Sequence, residues 1–271
     1  MRLSILIRNY NEAKNLEKTL TLLQKQRVSF PYEIVVSDNN STDNSVAVAQ
    51  SFGCRVVHNT TKVFSYGQLL NFGIEKCQGE FVLLLSAHIA LLNNDAIENI
   101  ILPFADEKVG CVCSIAATNT NMVLLATNPQ TITIADFTHI SDWKKKEIYL
   151  FAAPCGAIRK SVWEKIKFDE SLEIMEDRHW NRSLLEAGLS SVFGASCYYL
   201  YFILRRPGAN YKRAYLESLA MYRVFGKAET GDDFYYRSVK TIFSLAYHSV
   251  KNIPLGLYNL LKIYAIRFKK R

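Results

Sequence analysis

The stretch Leu3-Ser4-Ile5-Leu6-Ile7-Arg8-Asn9-Tyr10-Asn11-Glu12, answered by Tyr32-Glu33-Ile34-Val35-Val36-Ser37-Asp38-Asn39-Asn40-Ser41-Thr42-Asp43, decides the fold class. Each segment begins as an apolar run of strand length and stops in a dense polar turn. Between them Ala13, Leu16, Leu20 and Leu23 recur at helical spacing, which predicts a helix over 13–26. The same alternation continues along the chain. A helix is expected over 45–52, closed by Gly53, then a strand over 54–58 and a helix over 69–77 that ends at Gln78-Gly79. A strand over 81–85 has the apolar density of one buried on both faces, and a helix over 96–104 follows. Repeated strand–helix alternation predicts an α/β domain with a mostly parallel sheet. In such sheets ligands bind beyond the C-terminal ends of the strands. That rule selects four places: 8–12, 38–43, 58–67 and 86–88. From 110 to 150 the pattern blurs, and 201–271 reads as helical, interrupted near 226–233 and at Pro254.

Composition narrows the class further. At 271 residues, 49% apolar and 21% charged, the chain has ample material for a packed core and none of the signature of disorder. No apolar run reaches the roughly 18–20 residues of a membrane span. The longest, 81–92, is broken by Ser86 and His88, and the apolar part of 1–8 is too short for a secretory leader. The six cysteines have neither disulfide-framework nor zinc-site spacing, so they read as reduced, buried thiols in a cytosol. No Gly-x-Gly-x-x-Gly follows the first strand, which speaks against a dinucleotide-dependent dehydrogenase.

Charge is distributed unevenly. Residues 1–200 hold 19 basic and 21 acidic side chains, whereas 201–271 hold 14 basic and 4 acidic. In the tail, aliphatic and aromatic residues interleave with this charge up to Ile266-Arg267-Phe268-Lys269-Lys270-Arg271. That mixture suits an anionic bilayer surface, contacted through 240–271, better than a nucleic-acid groove, and no nucleic-acid readout motif accompanies it. A homodimer interface is the other use for such a segment. The expectation is a cytoplasmic protein, peripheral on the inner face of the membrane.

The two opening turns, Tyr10-Asn11-Glu12 and Asp38 through Asp43, together resemble the family 2 glycosyltransferases of the GT-A fold. The resemblance covers roughly 1–200 and leaves 201–271 as a basic, mainly helical extension without an assigned motif. It implies a Rossmann-like, mostly parallel mixed sheet flanked by helices. It also implies an inverting transfer of a sugar from a nucleoside diphosphate sugar to a hydroxyl of a glycan or lipid-linked acceptor, as in cell-surface polysaccharide synthesis. The physical logic is simple: carboxylates accept hydrogen bonds from a base and from ribose hydroxyls, and an aromatic ring stacks on the base. By resemblance Tyr10, Glu12 and Asp38 contact the nucleoside. Phe64-Ser65-Tyr66-Gly67 and Asn71-Phe72-Gly73 look like the stretch leading into the family's metal motif, with Gly67 and Asn71 on the donor side.

At that motif the chain departs from the family. Where Asp-x-Asp is usual, it has Ser86-Ala87-His88. His88 as a neutral imidazole ligand to Mn²⁺ or Mg²⁺, Ser86 and His88 as direct donors to the diphosphate, and a silent nucleotide-sugar-binding or scaffold subunit are the three readings this leaves. The later motif favours a working site. Cys155-Gly156-Ala157-Ile158 followed by Glu176-Asp177-Arg178-His179-Trp180 resembles the family's acceptor-side segment, in which the second acid is the general base. The resemblance thus assigns Asp177 to catalysis and Gly156, Glu176 and Trp180 to the acceptor side. The family's later histidine is missing, and Arg205 or Arg206 is the candidate charge for the diphosphate. The Ser-Ala-His pattern leans toward bacterial polysaccharide and rhamnosyl-type members.

Overall fold

The computed structural model describes residues 2–60, 65–117, 129–140 and 149–202. The chain divides between Ile203 and Leu204. Everything expected of 201–271 beyond Phe202, including Arg205, Arg206 and the 240–271 surface, therefore lies outside the described residues.

Within them the order is β1 (Leu3–Asn9), α1 (Ala13–Leu23), β2 (Tyr32–Asp38), α2 (Ser45–Ser51), β3 (Arg55–His58), α3 (Tyr66–Lys76) and β4 (Phe81–Ser86). It continues with β5 (Ile89–Leu91), α4 (Ala96–Ile101) with a 3₁₀ turn over Leu102–Ala105, β6 (Val109–Ala116), β7 (Gln130–Ile132) and α5 (Ile134–His139). Next come β8 (Cys155–Arg159), α6 (Lys160–Lys165), α7 (Glu176–Glu186) and β9 (Ser190–Tyr201). The strands form one sheet in the order β3-β2-β1-β4-β8-β6-β9-β5, with β7 also on β9. The half β3-β2-β1-β4 is parallel, as the alternation predicts. The other half is mixed: β8 runs antiparallel to β4 and β6, β6 and β9 are parallel, and β5 and β7 are antiparallel to β9. Much of this half comes from the stretch that the sequence pattern left blurred. There β6 is buried along nearly its whole length, so no alternation marks it.

The core lies in the centre of the sheet. All six residues of β4 are buried, and Leu83, Leu84 and Leu85 have no exposed surface. Burying each leucine contributes about 1.5–3 kcal/mol. Helix α1 covers one face with the stripe Leu16, Leu20 and Leu23 that the spacing predicts. Its Thr19 hydroxyl lies 2.9 Å from the carbonyls of both Ala87 and Ile89 and so fixes the turn that carries His88. Gly53 closes α2 at φ +72°, a conformation that costs glycine little. Helix α3 starts earlier than its apolar spacing suggests, because Ser65 caps it and accepts from Gln68 N. All six cysteines are free and buried. The side chains of Cys155, Ser114 and Cys197 make a hydrogen-bonded chain across β8, β6 and β9. No helix among the described residues is long and apolar enough to cross a membrane.

Candidate active site

Three parallel strands deliver polar groups to one edge of the sheet. β1 ends in Arg8 and Asn9, β2 in Asp38 and β4 in Ser86, and the registers Asn9↔Asp38 and Arg8↔Ser86 put them side by side. The turn after β1 exposes Tyr10, which at 58% exposure is the most open aromatic ring near this edge. Asn11, at φ +52°, aims its Oδ1 at Thr42 N (2.7 Å), so the two opening turns are tied together. Asp38 is the knot of that tie. It is 1% exposed and accepts from Asn9 Nδ2 at 2.9 Å, Ser41 Oγ at 2.6 Å and Ser41 N at 2.9 Å. His58 Nδ1 lies 3.9 Å away. In this structure Asp38 spends its carboxylate on holding the turns, whereas the Tyr10 ring stands exposed at the strand edge.

Glu12 is shared between α1 and the turn after β4. One oxygen accepts from Asn15 Nδ2 at 2.6 Å, and the other is 3.3 Å from His88 Nδ1. The mobility of His88 is limited further by Phe202 N, which donates to its carbonyl, and by the ring of Tyr201, 5.9 Å away. Ser86 is 9% exposed, and Arg8 reaches its hydroxyl at 3.5 Å and the Ala153 carbonyl at 3.3 Å. Of the expected donor residues, Glu12 and His88 come together, while Ser86 is met by Arg8.

Across the same edge α7 begins. Met175 takes the left-handed conformation at φ +65° and turns the chain so that Glu176 and Asp177 start the helix. The two residues are 5% and 6% exposed, a costly pair of acids to bury side by side. Asp177 accepts from Ala153 N at 2.9 Å with one oxygen, and from Arg178 N at 2.8 Å and Arg178 Nη1 at 3.2 Å with the other. Burial and the adjacent Asp177 charge push the Glu176 carboxyl up to about 7, with Arg8 and Arg178 pulling the other way. Helix α7 also explains its own placement: Asn181 accepts from Phe151 N at 3.0 Å, so residues 151–153 are pinned beneath both acids.

Four expected site residues have other tasks. Asn71 is saturated by protein: its Oδ1 accepts from Trp163 Nε1 (2.9 Å) and Phe168 N (3.1 Å), and its Nδ2 donates to Phe168 O and Glu170 Oε1 (both 2.9 Å). A Cβ on Gly67 would lie 2.5 Å from the Asp169 carbonyl oxygen, so this glycine admits the backbone of Asp169 and Glu170. Gly156 lies inside β8, where a Cβ would meet the Phe151 ring at 2.5 Å. Trp180 is 1% exposed, stacks on Phe168 at 5.1 Å and donates to Ile166 O, so it is a core residue beneath α7 rather than an acceptor surface. These residues recur near the site because they hold it together. Residues missed by sequence reasoning are Arg8, Arg178 and the Ala153 amide. For Arg8 a signal existed: a lone charge at the end of an otherwise apolar strand. For the Ala153 amide there was none.

A divalent cation is poorly served here. Among the described residues no three His, Cys, Asp or Glu side chains converge on one point. Next to Ser86 stand His88 and a single carboxylate, Glu12, which already face each other, and Arg8 lies on the Ser86 hydroxyl. A hard cation asks for carboxylate and other oxygen ligands, so this donor set does not fit one.

A parallel half-sheet joined to a mixed half, flanked by helices, with buried acids across the edge from the strand-end turns, is the GT-A architecture of glycosyltransferases. The chain belongs to glycosyl transferase family 2, whose family model matches residues 4–167. Among curated relatives it is 22% identical over 204 residues to the O-antigen chain rhamnosyltransferase RfbN of Salmonella typhimurium, covering 72% of this chain and 64% of that protein. It is 25% identical over 234 residues to the poly(ribitol-phosphate) β-N-acetylglucosaminyltransferase TarS of Staphylococcus aureus, covering 83% of this chain and 39% of that protein. The chain thus spans less than two thirds of either relative. Among solved structures, the mannosyltransferase PcManGT of Pyrobaculum calidifontis, in complex with GDP-Man and Mn²⁺, superposes with a TM-score of 0.69 at 16% identity, covering 98% of this chain and 80% of that one. S. aureus TarS 1-349 in complex with UDP-GlcNAc superposes with a TM-score of 0.57 at 19% identity, covering 98% and 79%.

Proposed function

We propose that this chain transfers a sugar from a nucleoside diphosphate sugar to a hydroxyl of a glycan or lipid-linked acceptor in cell-surface polysaccharide synthesis, with inversion at the anomeric carbon. The observation that carries the reading is the buried Glu176–Asp177 pair, held across the strand edge from the exposed Tyr10 and the Glu12–His88 pair. The relatives' names, an O-antigen chain rhamnosyltransferase and a poly(ribitol-phosphate) β-N-acetylglucosaminyltransferase, support the same class of substrate.

In this reading Tyr10 and Glu12 receive the nucleoside, and Ser86 and His88 meet the diphosphate. Asp177 takes the proton of the acceptor hydroxyl as that oxygen bonds to the anomeric carbon and the bond to the diphosphate breaks. The electron pair of the broken bond leaves with the nucleoside diphosphate, and attack from the opposite face inverts the centre. The Ala153 amide and Arg178 hold Asp177 in one orientation, which general-base catalysis requires. Glu176, whose carboxyl is pushed up to about 7, keeps its proton below that pH and there spares the base a second adjacent charge.

The test is transfer or slow hydrolysis from a panel of UDP-, dTDP- and GDP-sugars by the wild type and Asp177→Asn. Loss of a catalytic base should lower turnover roughly 10²–10⁴-fold while donor binding persists. Unchanged turnover in Asp177→Asn refutes the assignment of the base.

A further inference from the structure

Arg8 stands out once the strands are assembled. It follows four apolar residues of β1 that have no exposed surface or are buried among them, and it emerges beside Ser86 of β4, where the family's metal motif would begin. Its contacts there are sparse for a guanidinium. Nη2 makes two long hydrogen bonds, 3.5 Å to Ser86 Oγ and 3.3 Å to Ala153 O, and its buried Nε has no hydrogen-bond partner among the described residues. A guanidinium offers five donors in a fixed fork, so most of this capacity is unspent at the mouth of the site. No ion pair joins it to either acid of α7 among the described residues, although its charge is felt by Glu176.

We infer that Arg8 is the fixed cation of this site, and that its guanidinium binds the diphosphate of the donor and of the departing nucleoside diphosphate where a ligated metal ion would otherwise do so. The inference rests on the proposed donor site, and it deepens that reading by naming the group that offsets the charge. The same substitution accounts for two oddities together. Ser86-Ala87-His88 has lost the carboxylates that a cation needs, and a permanent positive charge has been placed on the adjoining strand. Carboxylates beside Arg8 would neutralise it by direct pairing, whereas the Ser86 hydroxyl leaves the charge available for phosphate oxygens.

The experiment uses the full chain as wild type, Arg8→Lys and Arg8→Gln. UDP, dTDP and GDP are titrated calorimetrically in EDTA and again in Mn²⁺, and the matching nucleosides are followed by ligand-observed NMR. One diphosphate should bind the wild type in EDTA. Arg8→Gln should weaken that diphosphate roughly 10- to 100-fold, as expected for removal of charge-assisted hydrogen bonds, with nucleoside binding unchanged. Arg8→Lys should fall between, because it keeps the charge and loses the fork. Binding that requires Mn²⁺ and is indifferent to Arg8→Gln would overturn the inference in favour of a cation. Equal weakening of nucleoside and diphosphate would overturn it in favour of a purely structural arginine. If no diphosphate binds the wild type under either condition, the donor-site reading itself fails first.

Discussion

Replacing Asn71 with alanine should cost this protein about 2–6 kcal/mol of stability, since two buried donors lose their acceptor and each such loss costs about 1–3 kcal/mol. The donors are Trp163 Nε1 and Phe168 N, on residues that are 3% and 2% exposed. Loss of the Phe168 carbonyl contact adds to this, whereas the Glu170 contact is exposed and contributes little. The assay is urea unfolding followed by circular dichroism, with the slope checked against wild type so that a shifted midpoint reports stability. The same variant carries a functional signature. Asn71 anchors residues 163–170, and the chain runs from there through Ser171 and Leu172, held by Ser65, to the left-handed Met175 and the acids of α7. A loosened anchor should lower kcat more than it raises the donor KM, because Asp177 loses orientation while Tyr10 and Glu12 keep theirs. A variant within about 0.5 kcal/mol of wild type, the scatter of ordinary surface substitutions, would refute the reasoning.

The buried carboxyl of Glu176 sets a pH dependence whose sign follows from its raised value. Between its ordinary 4.5 and about 7 the folded protein holds a proton that the unfolded chain has released, so stability falls as pH rises through that window and levels off above it. The fall is on the order of 3 kcal/mol, and Glu176→Gln should flatten it and exceed wild type above pH 7. Parallel curves for the two proteins in urea titrations at pH 5, 6, 7 and 8 would show the assignment mistaken. Gly156→Ala forces its methyl into the Phe151 ring and should lose about 1–3 kcal/mol, read as a lowered melting temperature. Because the neighbour is a side chain on the segment beneath Asp177, Phe151→Leu in the same chain should recover part of that loss.

Sequence and structure divide their contributions by range. The parallel half-sheet was legible because its strands alternate with amphipathic helices, and each turn is written locally: Asp38 through Ser41 closes on itself, and Gly53 ends its helix. The acids proposed for the site, Glu176 and Asp177, could be picked out because two adjacent acids in a recognisable context need no long-range information. The second half of the sheet was not. β6 is buried without alternation, and β9 finds its partners β5, β6 and β7 across as many as 112 positions of sequence, as in the pairing of Ile89 with Tyr201.

Residue roles split along the same line. The sequence by itself pointed to a family and to a departure from its metal motif, since these depend on residue type and order. Only the tertiary structure decided that Asn71, Gly67, Gly156 and Trp180 hold the walls of the site, because hydrogen-bond saturation and close packing are properties of neighbours far away in the chain. Only it placed Arg8 beside Ser86 and brought the Ala153 amide to Asp177, 24 positions along the chain. Charge acts through space rather than along sequence, so which charged groups stand together at the strand ends is found only by folding the strands together.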